Sequence, residues 1–257
     1  MGGALLKGWL AGRLGPVWVV EPNPSAELRR LAGSKRITIY ARIEEIKPAL
    51  VGVCVVAIKP QILRTEAQRL RPLAEAGALI VSIAAGTSIA SFQRACGARA
   101  KLIRAMPNLP GAIGKGISAL YAPPKLSHAD RALAESLLTP LGETAWVRRE
   151  ALIDVVTAVS GSGPGYLFLF VEALARAAER EGLPRALARK FARATLTGAG
   201  ALLEFDARDA AELRRDVTSP GGTTEAALAI LMYNDALIGL VECAVEAARK
   251  RGQELSG

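Results

Sequence analysis

Val51-Gly52-Val53-Cys54-Val55-Val56-Ala57-Ile58-Lys59-Pro60-Gln61 opens the stretch that decides the fold, and Ala78-Leu79-Ile80-Val81-Ser82-Ile83-Ala84-Ala85-Gly86 closes it. Both begin as apolar runs of strand length. Near-continuous apolar character, in place of alternation, suits strands covered on both faces. Between them, residues 61–76 repeat apolar positions at helical spacing. Strand, helix, strand is a βαβ unit with parallel strands.

The same alternation extends outward. Residues 17–20, 37–40 and 102–105 read as further strands, and 25–32 and 88–96 as helices. A strand-helix-strand stretch from Ile117 through Leu133 to Val147 closes the pattern. Residues 1–150 are therefore expected to form a Rossmann-like, doubly wound, mainly parallel α/β sheet. From residue 151 to 257 no strand pattern survives. Residues 164–181 are apolar nearly all round, the mark of a helix buried on most sides. Gly182 ends that helix, and Pro184 sits where a first helical residue would. Helices are expected over 184–204, 207–214, 223–232 and 235–251. A single helical layer this apolar cannot cover itself, so this second domain is expected to dimerise.

Composition narrows the function. Hydrophobic residues make up 51% and charged residues 22%, an ordinary globular balance. A formal charge of +9 invites a nucleic-acid reading, and Arg185, Arg189 and Arg193 do line one helical face. Yet the charge is spread along the chain and aromatic residues are only 5%, too few for base stacking. No nucleic-acid partner is expected; a basic surface suits anionic substrates and phosphorylated cofactors. No apolar run approaches the ~20 residues of a membrane helix, and no signal-peptide pattern opens the chain. The expected location is cytoplasmic, with Cys54, Cys96 and Cys243 as reduced core or near-core thiols. One histidine, His128, leaves no His-based metal site or catalytic relay, and no metal is expected.

The opening residues depart from the doubly wound pattern. Met1-Gly2-Gly3-Ala4-Leu5-Leu6 runs straight into a helix, without a preceding strand and G-x-G-x-x-G turn. Gly2 suits the third glycine of that turn, the one that lets the helix pack close. The first strand is therefore expected to be missing, with Met1 an internal methionine of a longer protein. Glu21 follows the strand at 17–20, where an acidic residue bonds the adenosine ribose, and Asn23 stands where it could donate to a phosphate.

Two glycine-rich helix starts mark the second half. Ser160-Gly161-Ser162-Gly163-Pro164-Gly165-Tyr166 leads into the apolar helix. Val217-Thr218-Ser219-Pro220-Gly221-Gly222-Thr223-Thr224 is more pointed, because it delivers free N–H groups and four hydroxyls to a helix N-terminus. Such an end attracts an anion, and an amino-acid carboxylate fits it.

These motifs, in order, resemble the pyrroline-5-carboxylate reductase family. Residues 217–224 with Leu213 and Ala226-Ala227-Leu228 are similar to its signature. Met1 to Leu5 resembles the end of its glycine turn, and residues 57–61 its A-V-K-P-Q segment. Residues 82–86 resemble S-x-A-A-G, 104–108 R-x-M-P-N, and 160–166 S-G-S-G-P-A-Y. The resemblance implies reduction of 1-pyrroline-5-carboxylate to L-proline with NADPH or NADH, and a homodimer through intertwined helices, with dimers assembling into larger rings. It implies that Ala57, Ile58, Lys59 and Pro60 line the cofactor's ribose and pyrophosphate, with Ala84, Ala85 and Gly86 near the nicotinamide. Ser219, Gly221, Gly222, Thr223 and Thr224 would then hold the substrate carboxylate and ring nitrogen, with Thr224 the catalytic candidate. Gly165 departs from the family's alanine, and Glu21 is unexpected for a family that often binds NADPH.

Two alternatives stand beside this reading. A β-hydroxyacid-type dehydrogenase would want a lysine base in residues 160–166, which offer none. The other is an inactive oligomeric remnant lacking the first strand.

Overall fold

The computed structural model of the chain describes residues 1–12 and 14–256. Its first part runs α1 (Gly2–Ala11), β1 (Val17–Val20), α2 (Ala26–Gly33), β2 (Ile37–Tyr40), β3 (Val53–Val56), α3 (Pro60–Glu66), α4 (Arg71–Glu75) and β4 (Leu79–Ser82). It continues with α5 (Ile89–Cys96), β5 (Lys101–Met106), β6 (Gly116–Tyr121), α6 (His128–Leu138) and β7 (Gly142–Trp146). Then come α7 (Leu152–Val156), α8 (Gly163–Arg180), α9 (Arg185–Phe205), α10 (Ala210–Asp216), α11 (Thr223–Leu231) and α12 (Ala236–Ser256).

The strands form two groups. β1 and β2 pair in parallel; β3-β4-β5-β6-β7 make a five-stranded sheet in that order, in which only β5–β6 is antiparallel. The expected α/β class with a mostly parallel sheet is what the chain adopts. β4 is buried along its whole length, which explains its unbroken apolar sequence. Helix α1 serves both groups. Its Leu5 packs with Leu79, Val81 and Ile103, while Leu6 and Leu10 pack with Ile37, Val17 and Val19. Each large side chain taken fully out of water contributes about 1.5–3 kcal/mol, so α1 is well anchored. Local caps set the helix starts: the Oγ atoms of Ser25, Ser88 and Ser127 accept from Leu28, Ser91 and Asp130 N–H.

Several expectations need correction. The helix expected over 61–76 is broken into α3, a 3-10 turn (Ala67–Leu70) and α4, because Pro72 has no N–H and its ring crowds the preceding turn. Cys243 is exposed, whereas Cys96 is buried. Burial pushes the Cys54 thiol up to about 12, with Cys96 adding to the shift. Third, residues 160–166 were expected to start a helix, but a π-helical turn (Thr157–Gly161) already precedes α8 there, so this stretch continues helical structure begun at α7. By length and composition alone, the resulting run Leu152–Arg180 is long and apolar enough to cross a membrane.

The chain divides into two compact units, Met1–Gly161 with Ala248–Gly257, and Ser162–Ala247. The second is all helical, with α8 against α9 and small residues Ala175, Ala188 and Ala192 buried. Helix α8 was expected to be buried on most sides. Within one chain it is not: Phe168 is 61% and Leu169 64% exposed. An all-round apolar helix demands cover, but the pattern does not say that the cover comes from the same chain.

Candidate functional site

In the first unit, the register pairs Val53 with Leu79 and Val56 with Ser82, so adjacent strands β3 and β4 end side by side. From those ends issue Ala57-Ile58-Lys59-Pro60 and, after Ile83, Ala84-Ala85-Gly86. Ile83 N–H donates to Val56 O (3.0 Å), tying the two exits together. Lys59 is the extended residue before α3, with Pro60 in its first turn. Ala57, Ile58, Lys59 and Ala85 are exposed there, and Ala84 is buried. Gly86 adopts φ 68, the left-handed region that a Cβ disfavours.

Helix α1 starts at this place. A Cβ built on Gly2 would lie 2.9 Å from Ala57 Cβ, closer than side chains approach, so only glycine permits this packing. Gly2 and Ala57 are thus brought together, beside the β4 exit. Glu21 and Asn23 form a separate pair at the end of β1: Asn23 N–H donates to Glu21 Oε1 at 3.0 Å. Glu21 N–H donates to Tyr40 O (3.0 Å), fixing its backbone to β2.

In the second unit, residues 217–224 fold as a turn delivering the chain into α11. Gly221 has φ 68, and Gly222 N–H closes onto Ser219 O at 3.0 Å. A Cβ on Gly222 would overlap Ser219 Oγ and come within 2.9 Å of its carbonyl oxygen, so this turn requires glycine. The first intrahelical bond runs from Ala226 N–H to Gly222 O, which leaves the Thr223 and Thr224 N–H groups without helical acceptors. The turn holds Ser219, Gly221, Gly222, Thr223 and Thr224 as one group. One N–H expected to be free is taken: Gly221 N–H donates to Glu225 Oε2 at 2.7 Å.

Two further features, a buried arginine and a buried threonine hydroxyl, stand out in the first unit. Arg104, quoted above only within a motif, lies in β5 with its side chain 6% exposed and donates to Glu150 Oε1 at 2.8 Å. Asp154 Oδ1 stands 3.9 Å from the same guanidinium. An arginine inside the apolar run 102–105 signals a buried counter-charge, since a lone buried cation is too costly. Thr87 is the other. Its Oγ1 is buried one residue beyond Gly86, and it and Ser118 Oγ have no hydrogen-bond partner among the described residues.

Comparisons with known proteins agree with this architecture. The family model for pyrroline-5-carboxylate reductase dimerisation matches residues 150–255. A pyrroline-5-carboxylate reductase of Pseudomonas aeruginosa is 39% identical over 258 aligned residues, covering 100% of this chain and 93% of that protein. One from Pisum sativum is 36% identical over 93% of this chain and 86% of its own. Among solved structures, the Coxiella burnetii reductase superimposes with a TM-score of 0.89 at 30% identity, over 100% of this chain and 95% of that one. The Plasmodium falciparum enzyme, solved with NADP bound, gives 0.81 at 25% identity over 100% and 95%. Identity at this level over the whole length, with the glycine turn at the start of α11 intact, means that the chain belongs to the pyrroline-5-carboxylate reductase family.

Proposed function

We propose that the chain reduces 1-pyrroline-5-carboxylate to L-proline with NADPH or NADH, as the last step of proline biosynthesis. The observation that carries this reading is full-length identity to reductases of that name, together with a V-T-S-P-G-G-T-T turn folded as an N-terminal nest. A β-hydroxyacid dehydrogenase has no lysine to use in residues 160–166.

The first unit's residues fit a nicotinamide dinucleotide. Gly2 lets α1 close on Ala57, so the helix N-terminus stands beside the strand ends, where pyrophosphates bind. The buried Thr87 hydroxyl wants an acceptor or donor next to Gly86. In this reading Gly2, Ala57, Ile58, Lys59 and Pro60 hold the ribose and pyrophosphate, while Ala84, Ala85 and Gly86 face the nicotinamide. Glu21 and Asn23 serve the adenosine ribose. The bound cofactor supplies the hydride.

In the second unit Ser219, Gly221, Gly222, Thr223 and Thr224 hold the substrate carboxylate on the unpaired N–H groups and hydroxyls. Thr224 then hydrogen-bonds the ring nitrogen and relays to it a proton from water, so the hydroxyl is restored as the imine becomes protonated. Little else is asked of side chains. A protonated imine is already electrophilic, so the gain comes from orientation and from excluding water. The assay is direct: adding the imine should cause oxidation of NADPH or NADH in proportion, with proline as product. A purified, folded chain that oxidises neither cofactor would defeat the proposal.

The exposed apolar sides of α8 are read as a homodimer surface, covered by a second copy and not by lipid, with dimers assembling into a larger ring. A cytoplasmic enzyme without membrane or nucleic-acid partners completes the picture. The family model matched over 150–255 is itself one of dimerisation, which supports the first of these.

Cofactor choice turns on Glu21. Its carboxylate accepts both hydroxyls of an adenosine ribose, whereas a 2′-phosphate would meet it with like charge, repelling by ~1 kcal/mol per unit pair at 4 Å even in bulk water. NADH is expected to serve at least as well as NADPH. Glu21→Ser should shift the kcat/KM ratio toward NADPH by about tenfold or more. Strong NADPH selectivity unchanged by Glu21→Ser would show that this carboxylate does not face the ribose.

A further inference from the structure

We propose that Glu150 is a positioning residue for the cofactor: its carboxylate anchors the turn that follows Ala84-Ala85-Gly86 and so holds that backbone at the nicotinamide. The inference rests on the reading that residues 84–86 face the cofactor. One oxygen, Glu150 Oε1, accepts two bonds of 2.8 Å, from Arg104 Nη1 and from the Ile89 backbone N–H. Ile89 is the first residue of α5, so its N–H has no acceptor within the helix. Ser88 Oγ is engaged elsewhere, by Ser91 N–H at 3.2 Å. The start of α5 is therefore tied to a residue 61 positions further along the chain.

That tie has a consequence for the loop. Residues 83–88 are fixed at the sheet end by Ile83 N–H on Val56 O (3.0 Å) and Ala84 N–H on Ser82 Oγ (3.3 Å). At the helix end Glu150 fixes them. Between these anchors lie Gly86 at φ 68 and the buried, unpartnered Thr87 hydroxyl, neither of which holds the loop by itself. Arg104, enclosed in the sheet and flanked by Asp154, fixes Glu150 in turn. Misplacement of about 1 Å at such a loop costs up to 100-fold in rate, so an anchor of this kind governs the reaction without touching it.

Two substitutions separate reach from charge. Glu150→Gln keeps an oxygen for the Ile89 N–H but loses the charge. Glu150→Asp keeps the charge near Arg104 but draws back by one methylene the oxygen that both Arg104 and the Ile89 N–H bond, and only the Ile89 amide reports on the turn. Fluorescence titration of the full-length protein with NADPH and NADH should show Glu150→Asp weakened about tenfold, the scale of one hydrogen bond to a charged group, and Glu150→Gln within about threefold of wild type. Hydrogen exchange of the Ile89 amide should speed up in the Asp variant only. The reverse pattern would mean that Glu150 merely neutralises Arg104, and overturns the proposal. So would wild-type affinity in both variants, or equal losses in both. Gly86→Val tests the underlying reading separately. If it leaves cofactor affinity unchanged, residues 84–86 do not face the cofactor and both fall; if it abolishes binding while Glu150→Asp does not weaken it, only the role of Glu150 falls.

Discussion

Thr224→Ala is expected to lower kcat/KM for the imine by about 10- to 150-fold, the worth of one hydrogen bond to a charged partner, roughly 1.5–3 kcal/mol. Thr224 is the second residue of α11, part-buried, beside the Gly221–Gly222 turn. Its side chain stands in the second unit, whereas the expected cofactor residues stand in the first. On the proposed assignment of Thr224 to substrate, cofactor affinity should stay within about twofold of wild type. Thr224→Ser, which keeps the hydroxyl, should recover most of the rate. Steady-state kinetics with cofactor titrations would check all three. Unchanged kinetics in the alanine variant would remove this hydroxyl from the reacting nitrogen.

Gly142→Ala should be the most damaging single methyl in the first unit. Gly142 opens β7 at φ 122, ψ −140, a backbone region nearly closed to side chains. Register places it opposite Gly116 of β6. A Cβ there would overlap the Gly116 carbonyl oxygen and come within 2.8 Å of its nitrogen. Both obstacles are backbone, and Gly116 is itself packed against Gly111 N, so neither strand can give way. Strain and overlap together should cost about 3–5 kcal/mol, a large share of a stability of roughly 5–15 kcal/mol. Thermal unfolding should begin about 6–20 °C lower, at roughly 2–4 °C per kcal/mol for a protein of this size. A melting curve superimposable on wild type would show that the β6–β7 approach is looser than described.

The strands of the first unit were legible because parallel strands covered on both faces leave unbroken apolar runs, as 79–82 does. Helix starts were legible where a serine caps them, at Ser25 and Ser88. The long helix over 61–76 was misread because apolar spacing outweighed Pro72, although the missing N–H was visible in the sequence. For α8 the reading of an enclosed helix was a statement about solvent, and solvent can be excluded by another copy of the chain. The turn at Gly221 and Gly222 was readable from composition, since left-handed backbone at Gly221 favours glycine and a Cβ on Gly222 would overlap Ser219. That Glu225 would reach back to the Gly221 N–H was not, because a carboxylate at that place reads equally as a favourable charge in a helix's first turn. Long-range pairings were the least accessible. Arg104 among apolar residues announces that a carboxylate must be near, but nothing local says that it lies 46 residues away.

In the proposed reaction, hydride passes from a nicotinamide to the imine carbon of 1-pyrroline-5-carboxylate. The most direct measurement uses cofactor carrying deuterium at the transferred position of nicotinamide C4. Proline formed by the purified protein should carry one deuterium at C5 per cofactor oxidised, and Thr224→Ala should slow its appearance without changing where the label goes. Oxidised cofactor with no label in proline, or no proline at all from the folded protein, would contradict the account.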